Sequence, residues 1–101
     1  LRDSKHLALV RLLPCIKCGT SSDIQAAHIR VNSGAGTGQK PDDDRAVPLC
    51  HDCHHRQHII GEVSFWGENK VPIAIKFARS LYGLDLFKAN RLLMKARKDL
   101  M

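Results

Sequence analysis

The spacing of hydrophobic and polar residues predicts a helix, followed by a strand, a loop, a second strand and another helix. In residues 3–13, DSKHLALVRLL, apolar side chains recur at helical spacing, and the run stops at Pro14, a residue that ends helices. Downstream, a short apolar run predicts a strand in DIQAAHIR (23–30), and turn residues predict a long ordered loop in VNSGAGTGQKPDDD (31–44). A second strand is predicted in RAVPLC (45–50), and a helix from Cys50 onward.

After residue 60 the pattern becomes helical. VPIAIKFARSLYG carries Pro72 early in a predicted helix that ends at Gly83, and Asp85 suits the cap of a last helix that runs to about Lys98. The first of these helices has an apolar face that we expect to pack over the strands, formed by Phe77, Ala78 and Leu81. Together these elements predict a single α+β domain over residues 1–101.

Length and composition are those of one small domain. With 101 residues, 44% of them hydrophobic, the chain is expected to bury only about two-thirds of its unfolded surface, so a bound metal would stabilise its thin core. The 16 Lys and Arg residues outnumber the 10 Asp and Glu residues, and the net charge of +6 is the sign expected of a polyanion-binding protein. No apolar run of about 18 residues and no signal-peptide pattern is present. We therefore expect no membrane association and an intracellular, cytoplasmic location.

The four cysteines form two pairs, each with two intervening residues. Two such C-x2-C knuckles have the spacing that surrounds a tetrahedral Zn²⁺ with four thiolates. Gly19, directly after the first pair, suits the tight turn in which backbone N–H groups point at sulfur. In a secreted chain the four could instead form two disulfides, whereas a redox C-x2-C would not explain two pairs. We predict a structural zinc bound by Cys15, Cys18, Cys50 and Cys53.

Residues 49–58, LCHDCHHRQH, place four histidines around the second cysteine pair. If four thiolates complete the zinc site, these imidazoles are not needed there. His54 and His58 are four residues apart on the predicted helix and share a face, which is a common way to present two imidazoles to one metal. The alternative is a pair of solvated surface histidines. His51 and His55 are predicted to be surface or phosphate-contacting residues.

Three segments together resemble the HNH endonuclease superfamily, namely AAHIR, GTGQKPDDD and VPLCHDCHHRQHIIGE. The similarity is to small prophage-type HNH proteins, including the phage recombination-enhancement nucleases, and it covers residues 15–66. It implies a small ββα-metal, treble-clef-like fold, stapled by zinc and flanked by helices, in which two strands and a helix surround a nuclease centre. Residues 67–101 would form the helical C-terminal part. The resemblance also implies a bacterial or phage context.

The resemblance assigns roles to four residues. His28, on the first strand, is implied to be the general base, and His54 and His58 are implied to bind a catalytic metal. Asp43 is implied to tether the loop and orient His28, with a solvated turn as its alternative. The chemistry agrees, because an imidazole with a pKa of about 6.5 accepts a proton from water at neutral pH, and a divalent metal stabilises the phosphorane and the leaving oxygen. By ligand softness the metal would be Zn²⁺, Ni²⁺ or Mn²⁺, and Mg²⁺ fits through water and phosphate.

Two positions depart from the general motif of the superfamily. Many members carry Asp or His directly before the catalytic histidine as a further metal ligand, whereas this chain has Ala27, which cannot coordinate. The middle Asn of the motif is also absent, because the five residues before Cys50 are RAVPL. These departures leave an inactive copy open as an alternative.

Two basic regions are candidate DNA contacts. Gly34, Gly36 and Gly38 would let the loop backbone approach a phosphate near Arg30 and Lys40, with a flexible surface loop as the alternative. The last helix carries one basic stripe, formed by Lys88, Arg91, Lys95 and Lys98. A solvated face is its alternative, and with no aromatic residue interleaved the stripe is not predicted to stack single-stranded bases.

The sequence thus predicts a metal-dependent DNA endonuclease of the HNH type. Its cofactors would be one structural Zn²⁺ and one catalytic divalent metal, and its partners would be DNA and a recombination protein. The competing interpretation is a non-catalytic zinc-finger module that binds DNA or protein. Such a module would not need His28 together with His54 and His58.

Overall fold

The first helix begins where the sequence supplies a cap. The computed structural model describes residues 1–31 and 41–101. The Asp3 carboxylate accepts the backbone N–H groups of Lys5 and His6, both at 3.1 Å, and the helix ends at Arg11, before Pro14. The helix predicted in this region is confirmed.

In the described ranges the chain forms one two-stranded sheet and five α-helices, which confirms the α+β class. In chain order the elements are α1 (Ser4–Arg11), β1 (Ile24–His28), β2 (Ala46–Cys50), α2 (His51–Ile60), α3 (Glu62–Trp66), α4 (Val71–Leu81) and α5 (Leu86–Leu100). A 3₁₀ turn over Asp43–Arg45 leads into β2.

β1 and β2 pair as an antiparallel ladder, and its register fixes the positions of the candidate site residues. Ile24 lies opposite Cys50 at one end, and His28 lies opposite Ala46 at the other. Both predicted strands are confirmed with slightly shorter bounds. The ladder therefore separates the cysteine of β2 from the histidine of β1 by the full length of the sheet.

β2 lies at the centre of the core. All five of its residues are buried. The carbonyl of Pro48 accepts the backbone N–H of Ile16 at 2.9 Å, which holds the segment with the first cysteine pair against the strand. α4 packs against β2, and the predicted apolar face is buried in the same core, at Phe77, Ala78 and Leu81.

Glycines divide the helical region that follows β2. Gly61 caps the end of α2 with a φ of +86°, and Gly67 caps the end of α3 with a φ of +92°, and both angles favour glycine. The helix predicted to end at Gly83 is confirmed as α4, and the last predicted helix is confirmed as α5, which runs to Leu100. None of the described helices combines the length and the apolar character needed to span a membrane.

Replacing Gln57 with Leu is expected to destabilise the fold by about 1–3 kcal/mol. Gln57 Oε1 accepts the indole N–H of Trp66 at 2.8 Å, and both side chains are buried, so the change leaves a buried donor without its acceptor. Urea unfolding, followed by the emission of Trp66, the only tryptophan, measures the free energy of unfolding. Arg56→Leu, at the exposed neighbouring position, is the control and should shift that free energy by less than about 0.5 kcal/mol. Equal stability of Gln57→Leu and the wild type would contradict the prediction.

Candidate metal centre and histidine groove

Four cysteine sulfurs converge at the end of β2. Cys15 and Cys18 lie between α1 and β1, Cys50 is the last residue of β2, and Cys53 lies in the first turn of α2. Their Sγ atoms all lie within 4.8 Å of one another, and those of Cys18 and Cys50 are 3.7 Å apart. A tetrahedral zinc with Zn–S bonds of about 2.3 Å separates its sulfurs by about 3.8 Å. The predicted set of four thiols is therefore brought together, and it could hold a zinc ion.

The backbone around these thiols has the geometry of two knuckles. The N–H of Cys18 points at Cys15 Sγ at 3.4 Å, and the N–H of Cys53 points at Cys50 Sγ at 3.5 Å. Gly19 has a φ of +84°, which confirms the tight turn predicted after the first pair. All four cysteines are free thiols, so the disulfide alternative is not formed.

Burial and neighbouring groups set the thiol pKa values. Burial acts to raise the pKa of Cys15, but backbone N–H groups of Cys18, Cys50 and Lys17 outweigh it and hold that pKa below its ordinary value. Burial raises the pKa of Cys53, and Cys50 and Cys15 raise it further. Because zinc binds thiolates, its binding must displace the proton of Cys53, so we expect zinc to bind more tightly as the pH rises.

The second candidate set is a histidine pair on α2. The Nε2 atoms of His54 and His58 are 3.2 Å apart. For an ion about 2.0–2.1 Å from both nitrogens, the N–metal–N angle would be roughly 100°, which lies between the octahedral and tetrahedral values. Burial lowers the pKa of His54, and the nearby His58 and His51 lower it further, so its neutral form, the form that binds metals, is favoured at neutral pH.

Gln25, on β1, fixes the ring of His54 and was not among the predicted residues. Its Oε1 lies 2.7 Å from His54 Nδ1, and its Nε2 lies 3.3 Å from His51 Nδ1. A carbonyl oxygen only accepts, so His54 carries its proton on Nδ1 and turns the lone pair of Nε2 toward His58. A hydrogen bond of this kind orients metal-binding imidazoles in proteins. No local pattern reveals the contact, because β1 and α2 are far apart in the sequence.

The ring of His28 is held by Asp43. His28 Nε2 lies 2.8 Å from Asp43 Oδ1, and the two side chains are 11% and 4% exposed. Because the carboxylate accepts, Nε2 of His28 carries the proton and Nδ1 keeps a lone pair that can accept another. Burial acts to raise the pKa of Asp43, but the backbone N–H of Asp3 and the side chain of His28 outweigh it and hold that pKa below its ordinary value of 3.8. Asp43 is therefore a buried, charged partner of His28 and not part of a solvated turn.

Asp43 is held in turn by residues far from it in the sequence. The backbone N–H of Asp3 donates to Asp43 Oδ2 at 2.7 Å, and the Tyr82 hydroxyl donates to Asp3 Oδ2 at 2.6 Å. Arg2 Nη1 lies 3.6 Å from Asp43 Oδ1. A chain of contacts therefore runs from the end of α4, through the cap of α1 and Asp43, to the ring of His28.

The three histidines predicted to be catalytic open into one groove between α1, β1 and α2. The groove has a volume of about 450 Å³. Its polar lining consists of His28, His54, His58, Gln25, Arg11 and Arg30. The sequence did not single out Arg11, which reaches the groove from the last turn of α1. The structure thus brings together imidazoles and cations from three elements that are distant in the sequence.

The remaining predicted contacts lie elsewhere. The backbone N–H groups of Arg30 and Val31 donate to the carboxylate of Glu62, both at 2.7 Å, so the chain leaving β1 is held from α3. The predicted loop residues that lie outside the described ranges are Lys40, Gly34, Gly36 and Gly38. The predicted stripe is exposed on α5, at Lys88, Arg91, Lys95 and Lys98.

Three residues near the predicted motif do not join either set of candidate ligands. Ala27 is fully buried in the core. His51 and His55 are exposed on α2, with ring centres 6.3 Å apart. Their surface position agrees with the prediction made for them.

The two candidate metal sets differ in the number of protein ligands. Within residues 1–31 and 41–101, the four cysteines are the only group of three or more His, Cys, Asp or Glu side chains close enough to share an ion. The pair of His54 and His58 would leave most coordination positions to water or phosphate. The cysteine group is thus suited to a closed structural site and the histidine pair to an open one.

Comparisons with protein-family models, curated protein sequences and solved structures give no match. Any assignment of activity therefore depends on the residues of this chain and on their geometry.

Changing Cys50 to Ser is expected to unfold or strongly destabilise the domain. Structural zinc contributes on the order of 10 kcal/mol in small zinc-binding domains, about as much as the whole stability of such a domain. Circular dichroism and metal analysis should show structure and zinc lost together. Asp52→Ser, at an exposed position between Cys50 and Cys53, is the matched control and should keep both. Wild-type protein without tightly bound zinc, or with disulfides after fresh reduction, would contradict the prediction.

Proposed function

We propose that the protein is a metal-dependent DNA endonuclease of the HNH type. The observation that carries the proposal is the shared groove, which is lined by His28, His54 and His58, the last two with Nε2 atoms 3.2 Å apart. The order of β1, β2 and α2 around the thiol cluster supports a ββα-metal motif. In this proposal the motif spans residues 15–66, and the helices of residues 67–101 complete a single nuclease domain.

His28 is the proposed general base. Its Nδ1 takes a proton from a water molecule, whose oxygen attacks phosphorus while the bond to the 3′ oxygen breaks. The leaving oxygen takes a proton from solvent, so the products carry a 5′-phosphate and a 3′-hydroxyl. Asp43 keeps the proton on His28 Nε2 and stabilises the imidazolium that forms, because its carboxylate lies 2.8 Å away.

His54 and His58 would hold the divalent metal, with Gln25 orienting His54. When bound, the ion stabilises the negative charge on the phosphorane and on the leaving oxygen. Two nitrogens are few ligands for Zn²⁺, Ni²⁺, Mn²⁺ or Mg²⁺, and Ala27 adds none. We therefore expect weak binding of this ion, strengthened by the substrate phosphate.

Positive charge at the groove supports a polyanionic substrate. Arg11 and Arg30 line its walls, and the whole chain carries a net charge of +6. DNA is the proposed polyanion because of the resemblance to HNH nucleases. A recombination protein as partner and a cytoplasmic, bacterial or phage setting stay predictions from the same resemblance.

A non-catalytic zinc module is the second candidate. It is favoured by one observation, namely that the four cysteines supply every ligand of a tetrahedral zinc, whereas the histidine pair supplies only two ligands. Such a module would bind DNA or protein through its basic surface. It would not require the buried contact between His28 and Asp43.

Plasmid cleavage with added Mg²⁺, Mn²⁺, Ni²⁺ or Zn²⁺ tests the proposal, using two variants that should fail for different reasons. His28→Ala loses the proton acceptor and keeps the metal pair, so its rate should fall by ~10²–10⁴-fold with metal uptake unchanged. His54→Ala keeps only His58 of the pair, so its metal uptake should fall and its activity should recover partly at high metal concentration. His55→Ala, at an exposed position of the same helix, is the matched control and should cleave like the wild type.

The outcomes of this experiment separate the two candidates. Circular dichroism and zinc content show whether each variant is folded. Cleavage by His28→Ala at the wild-type rate would mean that His28 is not the base. Absence of cleavage by the wild type with every metal would favour the zinc module.

Replacing Gln25 with Ala is expected to weaken binding of the divalent metal by ~10–100-fold, because His54 loses the acceptor that orients its ring. Gln25→Glu keeps an acceptor at that position and should bind the metal at least as tightly as the wild type. Calorimetric titration of the zinc-loaded protein with Mn²⁺ or Ni²⁺ measures the affinity. If Gln25→Ala and the wild type bind equally well, this hydrogen bond does not position the ligand.

A further inference from the structure

Helix α5 exposes two large apolar residues beside its basic stripe. Phe87 is 71% exposed and Met94 is 67% exposed. The opposite face of the helix is buried in the core, at Ala89, Leu93, Ala96 and Leu100. Phe87, Arg91, Met94 and Lys98 follow one another at steps of four, three and four residues, so they share one face. We name these four residues and the flanking Lys88 and Lys95 the α5 face.

The expectation that no aromatic residue accompanies the basic stripe is wrong. The guanidinium carbon of Arg91 lies 5.9 Å from the centre of the Phe87 ring, within the range of a cation–π contact. An exposed phenyl ring is therefore built into the stripe itself. The ring has no role in the core, because the buried face of α5 is complete without it.

The cations of the α5 face are available to a ligand. In the parts of the chain that the structure describes, no carboxylate forms an ion pair with Lys88, Arg91, Lys95 or Lys98. Four cations on one helix face, none of them held in an ion pair with a described carboxylate although Asp99 lies near Lys95, are complementary to a chain of phosphates.

We infer that the α5 face binds single-stranded DNA and that a base stacks on Phe87. The cations match the phosphate backbone, and the exposed ring offers the flat apolar surface on which an unpaired base stacks. From Phe87 to Lys98 the face is about 16 Å long, which accommodates about five nucleotides at roughly 3.4 Å each. This inference rests on the proposed function for DNA as the polyanion, and it adds the form of the strand.

Other occupants would use the α5 face differently. In a duplex the bases stack on each other, so duplex DNA would contact the cations and leave the ring unused. A second copy of the chain would bring like charges together, which opposes self-association through this face. An acidic partner protein would bury Phe87 and Met94 alike, because both are exposed apolar side chains.

Binding of the full chain to a labelled, mixed-sequence single strand of about 20 nucleotides, and to the matching duplex, tests the inference. No divalent metal is added, so the measurement does not require cleavage. Phe87→Ala should weaken single-strand binding by about 5- to 150-fold and change duplex binding by less than about twofold. Phe87→Tyr keeps a ring and should bind the single strand like the wild type.

Met94→Ala is the matched control, because Met94 has a similar exposure on the same face and carries no ring. It should change either affinity by less than about twofold, since base stacking requires a π surface. Replacing Lys88 and Lys95 together with Ala should weaken both complexes and reduce their salt dependence, by a slope of about 0.7 per lost contact for the single strand and about 0.9 for the duplex. Emission of Trp66 and zinc content confirm that each variant is folded.

Three results would overturn the inference. They are unchanged single-strand affinity in Phe87→Ala, equal losses in Phe87→Ala and Met94→Ala, and equal losses on the single strand and the duplex. If the wild type shows the expected Phe87-dependent binding and cleaves nothing, the proposed nuclease activity is refuted and single-strand binding by the α5 face is supported. Cleavage by a wild type whose single-strand affinity does not depend on Phe87 would do the reverse.

Discussion

The convergence of four sulfur atoms on one point is the constraint on which the rest of the structure depends. The sulfurs lie within 4.8 Å of one another although they come from two segments far apart in the sequence. Their meeting brings the segment before β1 against the end of β2, where the ladder pairs Ile24 with Cys50. It also fixes the first turn of α2, because Cys53 belongs to that turn. Since His54 follows Cys53 directly, the thiol cluster determines where the histidine pair begins.

The opposite end of the sheet is held by two charged side chains, Arg45 and Glu62. Arg45 is buried, its Nε donates to the carbonyl of Ile29 at 3.0 Å, and its Nη2 donates to the carbonyl of Val31 at 2.6 Å. Glu62 accepts the backbone N–H groups of the same segment. In the segment that follows β1, the carbonyl groups therefore accept hydrogen bonds from the cation Arg45, and the N–H groups donate to the anion Glu62. Burial of Arg45 is acceptable because its guanidinium is hydrogen-bonded, and together with the partly buried Glu62 it gives His28 and Arg30 a fixed backbone.

Local signals in the sequence are sufficient for the elements and for the thiol cluster. Helical spacing, turn residues and the C-x2-C knuckles each act over a few residues, and the structure confirms the elements and the grouping of cysteines that they predict. The proximity of His54 and His58 follows from local spacing too, because residues four apart share a helix face. Their role in metal binding stays a prediction, as does that of His28.

The contacts that the sequence did not reveal join elements distant along the chain. Gln25 and His54 are 29 residues apart, Asp3 and Asp43 are 40 apart, and Tyr82 and Asp3 are 79 apart. Such contacts depend on how the elements pack, and no periodicity encodes that. The exposure of Phe87 could not be predicted for another reason, because a large apolar residue on an amphipathic helix is expected to face the core.

The chain of contacts from Tyr82 to His28 determines how much of the protein is needed to transplant its chemistry. Residues 15–66 contain the thiols, the three histidines and Asp43, yet the groups that hold Asp43 come from the cap of α1 and the end of α4. If only this stretch were moved into another scaffold, the reacting groups would be transferred without Asp3 and Tyr82, which orient Asp43. The segment needed for a transplant is therefore larger than residues 15–66, or the new scaffold must supply its own hydrogen-bond donor for Asp43 Oδ2.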